Sequence, residues 1–364
     1  MVDSLVKNHV LSWASTAKLI FMKFLISPKY VPFLISIFCP FFTGCLVQNF
    51  MHKGNTIQTQ SLDGGMHNKD TGEFKKYHKN GQLESIGYLR DGSMVGEWKI
   101  YHSNGLINQV VHYVDGKKSG TFKQHSKAGV LVKSGSYSDD KRNGKWKLYH
   151  EDGTVKLDCS YLNDLKSGKF KWFRRNGQIL KIENFIKDKA SGEWIHYHAN
   201  GNIKMVENYL KGFKEGTVTW FYPNGLLHKS GSYKNDLANG EWKAYHPNKN
   251  LQEIGTFING KMEGKFKWYY SNSRLQKIGH YKSGKATGSW KSYYPNKTLK
   301  EVGHFKDDVN HGEFKWYSPD GKLTKIGFFK AGQADGSWKI FNDQGTLTKI
   351  IAFELGKQMK VQVP

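Results

Sequence analysis

Three cysteines in 364 residues are too few for a disulfide framework. No glycine-rich phosphate loop, nucleophile elbow or paired zinc-ligand spacing occurs, so the sequence predicts no enzyme, no cofactor and no metal. Long apolar runs are also missing. Hydrophobic residues make up 38%, and the single continuous apolar stretch, YVPFLISIFCPFFTGC at 30–45, is too short and too interrupted by proline for a comfortable membrane span. Acidic residues are outnumbered: 31 Asp and Glu face 55 Lys and Arg, a formal charge of +24. That balance predicts attraction to an acidic partner, a protein or an acidic envelope component, and nucleic acid is not expected. The alternative is a lysine-rich surface that is simply solvated.

What is abundant points to strands and turns, namely 39 glycines and 14% aromatic residues. These are arranged with strict periodicity. A glycine opens a copy at 72, 96, 120, 144, 168, 192, 216, 240, 264, 288, 312 and 336, so twelve copies of 24 residues fill 72–359 without insertion or deletion. Two residues after each glycine stands Phe or Trp, with Val218 the one exception, and the two alternate as if the older unit were a 48-residue pair. A second glycine follows Asn or Asp in most copies, as at Asn80-Gly81, and a second turn such as Asp115-Gly116-Lys117 closes the unit. Two short strands and two turns leave no room for a helix.

The predicted fold is therefore all-β, an elongated, twisted antiparallel array of hairpins in which each copy depends on its neighbours for burial. Two registers are open for the hairpin. A two-residue loop at Asn80-Gly81 sets Phe74 opposite Gly87. A type I turn with a glycine bulge sets Phe74 opposite Ile86 and Tyr77 opposite Leu83, and is favoured because Tyr222-Pro223-Asn224-Gly225 puts proline at its preferred turn position. Lys249, Ser273 and Lys297 replace the turn glycine, which predicts strained or differently shaped turns there. The tail at 360–364 looks like a blunted edge.

The unit G-x-W-K-x-Y-x-x-N-G-x-L, followed by an aromatic and a D-G-K turn, resembles the MORN repeat, in the variant found in bacterial antitoxin-like proteins of the YwqK type. The resemblance implies a long antiparallel hairpin array that acts as a scaffold for proteins or lipid surfaces. The alternative it implies is an antitoxin or immunity protein that neutralises a cognate toxin by direct binding.

Residues 1–45 read as a signal peptide, with Met1 and Met22 as alternative starts. Its end, Phe42-Thr43-Gly44-Cys45, resembles a bacterial lipobox, which implies lipidation at Cys45 and an exported lipoprotein held at the membrane of the bacterial envelope. A plainly secreted, an uncleaved or a cytosolic chain are the alternatives. Residues 46–71 are polar, a tether ahead of the repeats. Cys159, inside the repeats, reads as a small buried side chain.

Two rows of side chains are candidates for binding. One residue after the first aromatic lie Lys75, Lys99, Lys123, Lys147, Lys171, Lys243, Lys267, Lys291, Lys315 and Lys339, with Ile195 and Thr219 in the remaining copies. Equivalent strand positions repeat roughly every 9.6 Å, so these ammonium groups should form a row on one face. The second row is Trp172, Trp220, Trp268 and Trp316, on the face of the first aromatic, and predicts either an extended core or an exposed stacking stripe. His102, His150, His198 and His246 recur every 48 residues, roughly 19 Å apart, too far for one metal.

Overall fold

The computed structural model describes residues 71–364. The signal peptide, Met22, Cys45 and nearly all of the tether lie outside the described residues. Every element within them is a strand, from Gly72–Tyr77 and Leu83–Arg90 at one end to Leu347–Glu354 and Lys357–Gln362 at the other. All join in one antiparallel sheet in which each strand pairs with the segments before and after it, so the sheet is an open meander of hairpins. The twelve 24-residue copies are twelve such hairpins.

The register combines both sequence readings. Tyr77 pairs with Leu83, as the turn with a bulge requires, but Phe74 pairs with Gly87 and not with the expected Ile86. The cause is a further one-residue slip between Lys76 and Tyr77, which leaves Glu84 unopposed. The turn itself is closed by Gly81 N–H donating to His78 O at 2.9 Å and His78 N–H donating to Gln82 O at 2.8 Å. Lys249, Ser273 and Lys297 keep this shape: their φ values of 71°, 64° and 78° lie in the left-handed region, and Lys249 N–H still donates to His246 O at 2.9 Å. These turns are strained and not differently shaped.

The opening glycine has a backbone task. All twelve have positive φ, between 66° and 144°, and those after Gly72 fall where the ladder slips a second time, as between Ile86 and Tyr88 against Lys99 and Val95. This bulge bends every copy in the same sense while returning the next side chains to the same faces. The first aromatics share one face, the inner face, and bury there within a single sheet: Trp290, Phe266 and Phe314 are each 1% exposed.

A second glycine column serves those rings. Gly87, Gly135, Gly231, Gly255, Gly279, Gly303 and Gly327 lie directly beneath the next copy's ring, and a Cβ on Gly279 would stand 2.1 Å from the Trp290 indole. Val111, Cys159, Glu183, Glu207 and Ile351 occupy the same column in other copies. Cys159 is buried there, and burial pushes its thiol up to about 12.

The copies are also tied along their turn edges. The Nε2–H groups of His78, His102, His150, His198 and His246 donate to carbonyls 23 residues on, at 2.9–3.1 Å. At the opposite edge, Asp140, Asp164, Asp188, Asp236 and Asp308 accept the backbone N–H of a residue 22 positions earlier. The final strand, Lys357–Gln362, has Lys360 where a thirteenth opening glycine would fall, and it pairs with only one neighbour.

Candidate functional site

The lysine row lies on the outer face. Each lysine pairs across its hairpin with a residue that is mostly β-branched, Lys75 with Ile86, Lys99 with Val110 and Lys243 with Ile254, so cations alternate with Ile and Val along the array. The row is not uniform. Lys75, Lys99, Lys243 and Lys315 turn back to a glutamate two residues earlier, at 2.7, 3.5, 2.6 and 2.6 Å. The other six copies offer no carboxylate at that position. In the fourth, fifth and ninth it is itself lysine; the fourth and fifth are adjacent, so Lys145, Lys147, Lys169 and Lys171 stand together with Asp158 opposite both Lys147 and Lys171. In the sixth and seventh copies, at Ile195 and Thr219, the row has no lysine.

The four tryptophans lie on the inner face, half-buried against the core. They occur in the copies whose first residue is Phe170, Val218, Phe266 or Phe314, where a smaller side chain leaves volume to fill. Trp268 stacks on Phe266 at 6.0 Å and on Trp290 at 5.7 Å; Trp316 stacks on Phe314 at 5.8 Å and on Trp338 at 5.6 Å. Their solvent side carries cations. Lys277 lies over Trp268 and Trp290, Lys325 over Trp316 and Trp338, and Lys229 over Trp220 and Trp242, at 4.0–5.8 Å. Core packing thus accounts for the row, and the lysines cover the indole faces that a stacking stripe would need.

Glutamates occupy the same position as these lysines in the intervening copies. The resulting seam, Lys229, Glu253, Lys277, Glu301 and Lys325, alternates in sign along the second arm of the array. Burial dominates its titration: Glu253 is pushed up to about 7 and Glu301 to about 8, while Lys277 is brought down to about 8 and Lys229 and Lys325 are lowered. Sequence reading missed this seam. Its signal was present as Lys and Glu alternating at one repeat position, obscured by Ser85, Gln109, Leu157 and Met205 in the earlier copies.

Between the two arms the aromatic core is interrupted. One buried cluster runs from Trp98 to Phe185 and the other from Val218 to Ile351. Rings continue from Phe185 to Trp194 at 5.3 Å and on to Tyr209 at 4.4 Å, and stop there because the next ring position holds Val218. Glu183 and Glu207 take the place of the glycines. Glu183 accepts from the Trp172 indole at 2.8 Å and from Lys181. Glu207 lies 2.7 Å from Lys214 and 3.5 Å from His196. Burial alone would raise Glu207, but His196 and Lys214 outweigh it and hold the carboxyl below its ordinary range, while burial beside Glu207 raises Tyr209. Among the described residues no group of three His, Cys, Asp or Glu is placed to hold a metal ion.

Comparison with known proteins matches the MORN repeat variant to ten stretches, residues 70–91, 94–115, 142–163, 166–187, 190–211, 214–235, 238–259, 262–283, 286–307 and 310–331. The copies opening at Gly120 and Gly336 fall outside these stretches but form the same hairpin. No curated protein matches the chain. Similar solved structures include a GtfA/B complex bound to UDP and GlcNAc, 14% identical over 36% of this chain and 23% of that one, with a TM-score of 0.13. A TcdB2-TccC3-Cdc42 complex is 11% identical over 79% of this chain and 19% of that one, with a TM-score of 0.16. The chain spans about a fifth of the length of such structures, and scores this low carry no argument.

Proposed function

The chain belongs to the MORN repeat variant family, and on that premise we propose that it is a non-enzymatic scaffold that binds an acidic macromolecule along its outer face. The observation that carries this reading is the row of lysines at one register in ten of twelve copies, alternating with β-branched residues and densest at Lys145, Lys147, Lys169 and Lys171. Many weak contacts presented in line bind cooperatively to an extended polyanionic surface, and their sum falls steeply with salt. The Thr43-Gly44-Cys45 sequence supports the further reading that the chain is exported and held at the bacterial envelope by acylation of Cys45.

The uneven row supplies its own control. Changing Lys145, Lys147, Lys169 and Lys171 to Gln removes four charges that have one carboxylate among them, Asp158 opposite Lys147 and Lys171; changing Lys75, Lys99, Lys243 and Lys315 removes four that each pair with a glutamate. Binding to envelope extract and to acidic polysaccharide is measured across a salt series. The first set should weaken binding by about tenfold or more at low salt and flatten the salt dependence, and the second should do far less. Equal effects of the two sets, or no acidic ligand at all, would reduce the row to a solubilising surface.

A further inference from the structure

The longest unbroken run of lysine and tyrosine together on the outer face spans the eighth to eleventh copies. Each of the four sets a lysine against Ile or Val and, two residues on, a tyrosine against leucine, as Lys267 against Ile278 and Tyr269 against Leu275. Residues two apart share a strand face, so each ring stands beside an ammonium group. These rings differ from the inner tryptophans, which lysines cover. Tyr245, Tyr269, Tyr293 and Tyr317 are half-buried, and among the described residues no second ring or cation lies over them and their hydroxyls make no hydrogen bond. Their spacing is fixed from the neighbouring copy: their backbone carbonyls accept from Tyr222 Oη, His246 Nε2, Tyr270 Oη and Tyr294 Oη at 2.7–2.9 Å. Charge along the run is sparse. Lys243 and Lys315, at its two ends, are held by Glu241 and Glu313 at 2.6 Å, whereas Lys267 and Lys291, between them, have no ion pair among the described residues.

We infer that this run binds one chain of an acidic polysaccharide, an extended β-linked polymer with a carboxylate on every second sugar, laid across the strands. The inference rests on the reading that the outer face takes an acidic macromolecule, and it names the chemistry of that ligand. Copies recur about every 9.6 Å, and one sugar of an extended β-linked chain advances by close to one strand spacing, so two sugars cover one copy. Every second pyranose then lays its apolar C–H face on an open tyrosine ring, and a carboxylate recurring at the same interval meets the lysine beside it. An identical setting repeated four times suits a polymer with a matching repeat, which neither a folded protein surface nor a fluid lipid surface provides. Glu241 and Glu313 accept sugar hydroxyls but repel a polymer charged at every unit. Those carboxylates count against single-stranded nucleic acid, which also stacks on aromatic rings.

The test is calorimetric titration of the full-length chain with hyaluronan oligosaccharides, in which a β-linked uronate alternates with a neutral sugar, and with poly-glutamate, an acidic polymer without sugar rings. Affinity for hyaluronan should rise with length to about eight sugars, two for each of four copies, and then level off. Tyr269→Val/Tyr293→Val, which keeps good strand formers in place, should weaken hyaluronan binding about tenfold or more and leave poly-glutamate binding unchanged. Tyr269→Phe/Tyr293→Phe should retain most of the affinity, since Phe173 and Phe221 stand at this position in other copies. Tyr197→Val, in a copy with Ile195 in place of the lysine, should change nothing and controls for disturbance of the sheet. Hyaluronan bound no better than poly-glutamate of equal charge, indifference to Tyr269→Val/Tyr293→Val, or tighter binding of oligothymidylate than of hyaluronan each overturns the inference and leaves the acidic-macromolecule reading standing. Binding of neither hyaluronan nor poly-glutamate removes both.

Discussion

The two arms of the array share a hairpin, a 24-residue period and an aromatic inner face, yet they fill that face by different rules. In the first arm the column beneath the rings alternates in volume: Trp98 and Trp146 lie over Gly87 and Gly135, whereas the smaller Phe122 and Phe170 lie against Val111 and Cys159. In the second arm five consecutive copies have glycine, including those beneath Phe266 and Phe314, and the volume returns on the other side of the ring as Trp268 and Trp316. Packing density is conserved and side-chain identity is not. The second solution has an electrostatic consequence, for large indoles need cover and the cover is the half-buried Lys and Glu seam.

Gly279→Ala breaks the comparison most directly. A methyl group 2.1 Å from Trp290 cannot be accommodated without displacing the ring, so a loss of about 3 kcal/mol or more is expected, against about 1 kcal/mol for Cys159→Ala at the same column of the first arm. Denaturant unfolding checks both. Similar losses at the two sites would mean that the arms are packed alike.

Glu253 and Glu301 sharpen the comparison through pH. Their carboxyls are raised in the folded chain to about 7 and about 8, so folding favours the protonated form. The stability they contribute is complete below the ordinary carboxylate value and is lost as pH rises through 7 and 8. Glu253→Gln/Glu301→Gln should therefore stabilise the second arm by about 2 kcal/mol at pH 8 and by little at pH 4.5. A variant with the same pH profile as the parent would remove the seam's buried character.

The junction gives the smallest effect and the opposite sign. Glu207 is depressed by His196 and Lys214, so its contribution is present above the ordinary carboxylate value and is lost as pH falls through the lowered one. Glu207→Gln should destabilise at pH 7, by about 1 kcal/mol because Lys214 is partly solvated, and should raise hydrogen exchange most between Glu183 and Val218. Glutamates in one repeat family would then respond to the same substitution in opposite directions, according to whether burial or the neighbouring cations prevail.

Much of this architecture was legible beforehand. Period, hairpins and the lysine row follow from residues that recur at one spacing, because a repeat writes its geometry redundantly. The register followed only in part, since a bulge is set by local dihedrals and by which partner gives way: the favoured reading placed Tyr77 opposite Leu83 correctly but set Phe74 against Ile86 where it meets Gly87. The tryptophans were ambiguous for a related reason: Trp268 is explained by Phe266 being smaller than Trp, a comparison across neighbouring copies. The junction was half visible, since Glu183 and Glu207 stand where most copies have glycine, but that Trp172 answers one and His196 and Lys214 the other emerges only from the pairing of the strands.

The ties between copies span 20 to 24 residues whichever part of the chain is considered, as His78 reaches Tyr101 and Asp308 reaches Ala286. Nothing near the beginning waits for anything near the end. Such a chain has low contact order for a β protein and can acquire structure in the order in which it is delivered. As it emerges end-first from a ribosome or a narrow pore, each hairpin has its template already in place, and the most recent strand is the edge on which the next one pairs. For a protein so rich in β-forming, aromatic sequence, vectorial growth of this kind limits the time that each newly formed edge spends unpaired.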